Sequence, residues 1–214
     1  LLENKKIKIN DNAFLKFEKN LKKSSFQPTK ISIVICFHFN KRRIKNLKKI
    51  CENIHNYKFS KQLSIITNDI NNKQYNLLKK ELSSRIKKFN IIKINNIPEP
   101  NLLPWYCLDF MKKTYKEKSF SHFLYLEDDI LINSENINYW IYCRKILKSY
   151  KLIPAFLRCE FYKKKVFSVD NIKKIKFINT PKIISKSKEI GFINLRYPYH
   201  GSCFMDRDLM KEYS

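Results

Sequence analysis

Apolar positions along this 214-residue chain follow two rhythms that alternate between residues 30 and 129. Continuous runs of strand length, rich in β-branched residues, take turns with stretches whose apolar residues recur every three or four positions. The runs "KISIVICFHF" (30–39), "QLSIITND" (62–69), "FNIIKIN" (89–95) and "SHFLYLEDD" (121–129) predict four strands. Between them, Ile44, Leu47, Ile50, Cys51 and Ile54 mark one helix, and Tyr75, Leu78, Leu82 and Ile86 a second. "NLLPWYCLDFMKKTYKEK" marks a third, with Pro104 in its first turn. Strand and helix alternating at this spacing predict an α/β fold: a Rossmann-like, mostly parallel sheet with helices on both faces.

The pattern then loosens. Residues 133–150 predict a helix with Ser134 as its cap, and "LIPAFLRCEFY" (152–162) predicts a strand. The Lys-rich stretch 163–190 reads as hairpin or loop. The last segment reads as a strand, a turn at Pro198 to Gly201, a second strand and a helix start, a small β-hairpin region closing the fold. Residues 1–29 are a polar lead-in closed by Pro28, which leaves 30–214 as one domain. The chain lacks an initiating Met and stops within a helical pattern, which suggests a piece of a longer protein.

Composition changes this picture little. The formal charge is +25, yet the 44 basic residues divide as 37 Lys and only 7 Arg. A dedicated phosphate reader leans on the planar Arg fork, so a solvated Lys surface is the expectation and nucleic acid is not the expected partner. Weak peripheral attraction to anionic lipid is a secondary expectation. Six scattered cysteines without a Cys-x-x-Cys pair argue against structural zinc and against a disulfide framework. A reducing, cytoplasmic setting fits that usage, and no apolar run reaches the ~18 residues of a membrane span.

Two glycines, Gly191 and Gly201, are too few for any glycine-rich phosphate loop or nucleophile elbow. A nucleotide bound by such a sheet needs another means of neutralising its phosphates. Ligands of open α/β sheets sit at the carboxyl ends of the strands, which puts Phe37 to Asn40, Asn68 to Asp69 and Glu127 to Asp129 on one rim. Three adjacent carboxylates repel, and burying one unpaired is costly. A hard cation such as Mn²⁺ or Mg²⁺ resolves both problems. In an extended segment Glu127 and Asp129 point one way and Asp128 the other.

"LEDD" at the end of the fourth strand resembles the DXD motif of GT-A fold glycosyltransferases. Its EDD version is similar to that of the N-acetylglucosaminyltransferase I family. "IVICFHFNKRR" resembles the first-strand end of these enzymes and, with Asn40 and Lys41, the Asn-Arg ending of family 2 glycosyltransferases. "IITND" resembles their second-strand end. The resemblance spans residues 30–214 in element order. It implies transfer of a hexose or N-acetylhexosamine from a nucleotide-sugar donor, a UDP-sugar first, to a glycan or lipid-linked acceptor, with Mn²⁺ or Mg²⁺ as cofactor. It further implies Asp129 and Glu127 as metal ligands, and Glu127 and Asp128 as contacts to donor sugar and ribose. Phe37, His38, Phe39 and Asn40 would flank the base, with Asp69 bonded to it. Plain structural roles stay open for each: core packing for the phenylalanines, a satisfied histidine, a helix cap at Asp69.

Arg158 and Glu160 share a face of the expected later strand, and His200 and Gly201 lie at the expected turn. The shared face makes Arg158 and Glu160 candidates for the acceptor or diphosphate side, against a salt-bridged pair. The resemblance, through its glycine-containing strand, puts His200 and Gly201 on the acceptor side, against an ordinary turn. Asp206, Asp208 and Glu212 read as a helix start, so the catalytic base is expected beyond residue 214. The rival class is a basic nucleic-acid-binding or Mg²⁺-dependent phosphodiester-processing domain, which predicts clustered Arg and aromatics.

Overall fold

A computed structural model of the chain describes residues 6–8, 28–84, 86–163, 165–168, 182–184, 189–192 and 201–214. In chain order the elements are β1 (Lys6–Lys8), β2 (Lys30–Phe37), α1 (Ile44–His55), β3 (Ser60–Thr67), α2 (Asn72–Ser83), β4 (Asn90–Lys93), α3 (Leu103–Tyr115) and β5 (His122–Glu127). They continue with α4 (Ser134–Leu147), β6 (Cys159–Tyr162), β7 (Lys165–Ser168), β8 (Lys182–Ile184), β9 (Glu189–Gly191), β10 (Ser202–Asp206) and α5 (Arg207–Tyr213). The chain divides into two compact units, Leu1–Phe26 with Glu135–Tyr199, and Gln27–Ser134 with His200–Ser214.

The second of these units is the α/β sheet that the hydrophobic pattern predicts. Its strand order is β10-β5-β2-β3-β4, parallel throughout except for β10, which runs antiparallel along β5. The runs that carry no polar alternation are the strands buried on both faces: Ile31 to Phe37 and Phe123 to Leu126 are all buried. Helices α1 and α2 pair with each other, whereas α3 packs on β2, β3 and β5 with α5 beside it. Right-handed crossovers place the β2–α1–β3 and β3–α2–β4 helices on one face, and the return from β4 to β5 puts α3 on the other.

Boundaries differ from the hydrophobic reading in instructive places. Strand β2 stops at Phe37, and His38 beyond it is exposed. In the other unit the strand expected over 152–162 is confined to Cys159–Tyr162. Pro154 has no N–H to give a ladder, and side chains of α4 take the carbonyls instead. Trp140 Nε1 donates to Pro154 O at 2.7 Å and Arg144 Nη1 to Leu152 O at 3.2 Å. The stretch 163–190 does contain strands: β6 pairs with β7 and β8 with β9, both antiparallel. Lys6–Lys8, inside the polar lead-in, adds to β8 in parallel. The expected strand and turn over 193–200 lie outside the described residues. All six cysteines are free, and among the described residues no helix is long and apolar enough to cross a membrane.

Candidate active site

The parallel registers bring the carboxyl ends of three strands into line. Cys36 pairs with Glu127 and Phe37 with Thr67, so β3, β2 and β5 end side by side. From β2 the chain moves outward to β3 and β4, then returns to place β5 on the opposite side of β2. The boundary between β2 and β5 is therefore the topological switch point, where open α/β sheets leave a crevice beyond their carboxyl ends. The residues leaving β2 and β5 into that crevice are His38 to Arg43 and Asp128 to Asp129.

Asn40 begins a 3-10 turn, Lys41–Arg43, as its cap. Its Oδ1 accepts from Arg42 N at 2.9 Å and its carbonyl from Arg43 N at 3.0 Å. The turn delivers Arg43 to the acids. Arg43 Nη2 lies 2.6 Å from Asp128 Oδ1 and 3.2 Å from Asp129 Oδ2. The two carboxylates differ in setting: Asp128 is 3% exposed, whereas the Asp129 side chain is 51% exposed. The second oxygen of Asp128, Oδ2, is buried and has no hydrogen-bond partner among the described residues. Burial raises the Asp128 pKa and outweighs Arg43, which lowers it. Asp129 adds to the rise, the backbone opposes it, Glu127 adds again, and the result is about 6.

The segment that follows is anchored. Ile130 N donates to Glu127 O at 3.2 Å, closing a turn. Asn53 Nδ2 at 2.7 Å and Tyr57 Oη both donate to Ile132 O, tying buried Ile132 to α1 and the residues after it. Since β5 ends at Glu127, the two-residue alternation stops there. Asp128 and Asp129 share one guanidinium, instead of Glu127 and Asp129 forming the pair that an extended segment predicts.

The other rim residues separate into supports and open groups. Phe37 is fully buried and meets Phe39 edge-on at 6.1 Å, so it belongs to the core and reaches the rim only through Phe39. Phe39 N donates to Asn68 Oδ1 at 2.8 Å, and Thr67 Oγ1 donates to the same oxygen at 3.2 Å. Asn68 thus ties the end of β2 to the end of β3. Asp69 is exposed and does not cap the next helix. Asn71 does, through a reciprocal capping box with Gln74. Among the described residues the Asp69 carboxylate has no hydrogen-bond or ion-pair partner. His38 is exposed on the same loop.

Gly201 is brought to the acids by backbone: Glu127 N donates to its carbonyl at 2.9 Å, just ahead of β10. His200 lies outside the described residues. Arg158 and Glu160 belong to the other unit. Half-buried Arg158 precedes β6 and exposed Glu160 lies within it, so they are not two positions of one strand face. Asp206 caps α5, its Oδ1 accepting from Leu209 N at 2.8 Å, as a helix start requires.

Asn68 sits on the rim where the strand ends predict it, with the added role of tying β2 to β3. Arg43 is the residue of the site to which the motif reading assigns no role. The signal for Arg43 is the run of bases directly after a strand that must lie beside the acidic one.

The donor set can be tested against a divalent cation. Among the described residues no three His, Cys, Asp or Glu side chains gather into a metal cluster. The chain offers two carboxylates, one carrying an unsatisfied buried oxygen. That set fits a hard cation that takes one or two carboxylates and completes its shell with water and substrate phosphate.

No protein-family model matches the chain, and no curated protein sequence matches it. Solved structures similar to it include TarS of S. aureus (its residues 1–349), at 10% identity and TM-score 0.43 over 70% of this chain and 42% of that one. A second is the mannosyltransferase PcManGT from Pyrobaculum calidifontis in complex with GDP-Man and Mn²⁺, at 7% identity and TM-score 0.41 over 62% and 39%. A third is the mannosyltransferase Ktr4p from S. cerevisiae, at 11% identity and TM-score 0.31 over 71% and 50%. The chain spans half or less of the length of these structures. The α/β class stands on the chain's own strand order.

Proposed function

We propose that the rim between β2 and β5 is the donor site of a glycosyltransferase, moving a sugar from a nucleotide diphosphate, UDP first, to a glycan or lipid-linked acceptor. The observation that carries this reading is the Asp128–Asp129 pair at the switch point, with a buried carboxylate oxygen left unsatisfied. An acid without a structural reason to be buried is a functional candidate. Asp128 and Asp129 would hold a Mn²⁺ or Mg²⁺ ion, which supplies Lewis-acid stabilisation of the departing diphosphate. This revises the Glu127–Asp129 pair that the extended reading favours. Glu127 then faces the donor sugar, next to the Gly201 backbone on the acceptor side.

Asp69 supplies an acceptor for the imide N–H of uracil, and Phe39, positioned by Asn68, supplies an apolar surface for the base, with His38 beside it. Asn40 acts indirectly, by shaping the turn that carries Arg43. No residue is assigned as the base that deprotonates the acceptor hydroxyl, because Asp206 already caps a helix.

Calorimetric titration of UDP, with and without Mn²⁺, tests the reading on the native chain and on Asp129→Ala. Manganese-dependent binding that the substitution abolishes is the expected result. Absence of binding by UDP, GDP and CMP alike, with the protein folded, overturns it. Binding of a single-stranded oligonucleotide in their place would favour a phosphodiester-processing domain.

A further inference from the structure

Asp128 and Asp129, just past the tip of β5, are both engaged by one side chain, Arg43, and that arginine is positioned to let go. Its side chain is 40% exposed, so it can swing into solvent without unpacking the core. Its contacts at 2.6 and 3.2 Å fall on one oxygen of each carboxylate, Asp128 Oδ1 and Asp129 Oδ2. The remaining Asp128 oxygen is buried and unsatisfied among the described residues. A single guanidinium nitrogen therefore occupies the position between the two acids and still leaves their demand for positive charge unmet. The turn that presents it, Lys41–Arg43, carries two further cations, both exposed.

We propose that Arg43 is an exchangeable counter-ion, holding the Asp128–Asp129 pair until a divalent cation arrives together with a diphosphate. The inference rests on the donor-site reading above. A divalent cation and the guanidinium compete for the same carboxylate oxygens, so Arg43 lowers the affinity for bare metal. Once displaced, Arg43 has lost its anions and stands beside Lys41 and Arg42, where a diphosphate supplies the negative charge that this turn then lacks. Metal and diphosphate consequently favour each other's binding, and by linkage the effect is reciprocal. The device suits a site that should not fill with metal alone.

The test is a Mn²⁺ titration without nucleotide, read from the electron paramagnetic resonance of the free ion at one fixed pH for all chains. It uses the native chain, Arg43→Gln, Arg43→Lys and Asp129→Ala, with circular dichroism to establish folding. Arg43→Gln should bind bare Mn²⁺ roughly tenfold tighter, equivalent to ~1.4 kcal/mol. The same variant should bind UDP more weakly at saturating Mn²⁺, and Asp129→Ala should lose the metal. Arg43→Lys, which keeps the charge and loses the fork, should shift in the same direction by a smaller factor, and it decides the question if the glutamine variant does not fold.

Unchanged or weaker Mn²⁺ binding in the folded arginine variants overturns the proposal, as does absence of Mn²⁺ uptake by native and variant chains alike. The two readings fail separately. Tighter bare-metal binding with no affinity for UDP, GDP or CMP would keep the exchange and remove the donor site. Manganese-dependent UDP binding with an unchanged bare-metal affinity would do the reverse.

Discussion

Strand β5 has an arginine at each end, and the two are used differently. At the amino end, Arg207 donates from Nη1 to the carbonyls of Glu117 at 3.2 Å and Phe120 at 2.9 Å, and from Nη2 to Tyr115 at 2.9 Å. Its guanidinium also lies over the Tyr115 ring, 4.4 Å from the centroid. At the carboxyl end, Arg43 contacts two carboxylates and leaves one of their oxygens unsatisfied. The carbonyls held by Arg207 belong to the end of α3 and the loop after it. Being backbone, they cannot move to another cation without the helix end unravelling. The partners of Arg43 are side-chain anions that any cation can serve. One end of the strand is closed by its hydrogen bonds and the other is left open by them.

Breaking the closed end should have the largest effect. Arg207→Ala removes three charge-assisted bonds and a ring contact, for a predicted loss of about 3 kcal/mol in urea unfolding. Below the unfolding transition, UDP and Mn²⁺ affinities should be unchanged. A loss of binding without a loss of stability would erase the distinction between the two ends.

Asp128→Asn probes the open end and should do the opposite. The native Asp128 pKa is about 6, raised by burial from an unfolded value near 4. The folded state therefore holds its proton more tightly, and stability falls as pH rises through that window. Above pH 6 the charged, half-satisfied carboxylate is a burden of order 2 kcal/mol. The asparagine variant should therefore be at least as stable as the native chain at pH 7, with its advantage vanishing near pH 4, while losing Mn²⁺ binding. Loss of stability at pH 7 would mean that the acid is structural.

How legible these ends are from the amino-acid order depends on how local their causes are. Strands β2 and β5 are plain because burial on both faces leaves unbroken apolar runs. The acids are plain because nothing else in the chain sets three carboxylates against a core strand. Arg43 is hidden by its surroundings. The run "NKRR" after a core strand marks the place, but only the cap at Asn40 and the pairing of β2 with β5 select Arg43 from among its cations. Phe37 and Phe39 look alike in sequence, yet the end of β2 between them buries one and half-exposes the other. The strand Lys6–Lys8 cannot be read at all, since three residues paired to a distant segment make no periodicity.

The smallest predicted effect sharpens the comparison most, because the two ends titrate in opposite directions over one range of pH. His122, at the amino end, is held neutral by burial down to a pKa of about 4, despite the pull of Asp206, which faces it across the β5–β10 pair. Its ring stacks on Phe204 at 5.3 Å, and its Nδ1 lies 3.0 Å from Ser121 Oγ. A histidine whose folded pKa lies below its unfolded value leaves stability intact above pH 6.5 and removes it as pH falls toward 4. Discounted for partial exposure, this amounts to about 1 kcal/mol. The Asp128 contribution runs the other way across the same interval, so the native chain should show a shallow net slope between pH 4 and pH 6.5. His122→Asn should expose the Asp128 slope, with stability rising as pH falls. Asp128→Asn should expose the His122 slope, with stability falling over the same range. The double variant should be nearly flat. Parallel curves for both single variants would show that these groups do not govern the pH response of the sheet, and that the closed and open ends are not electrostatically distinct.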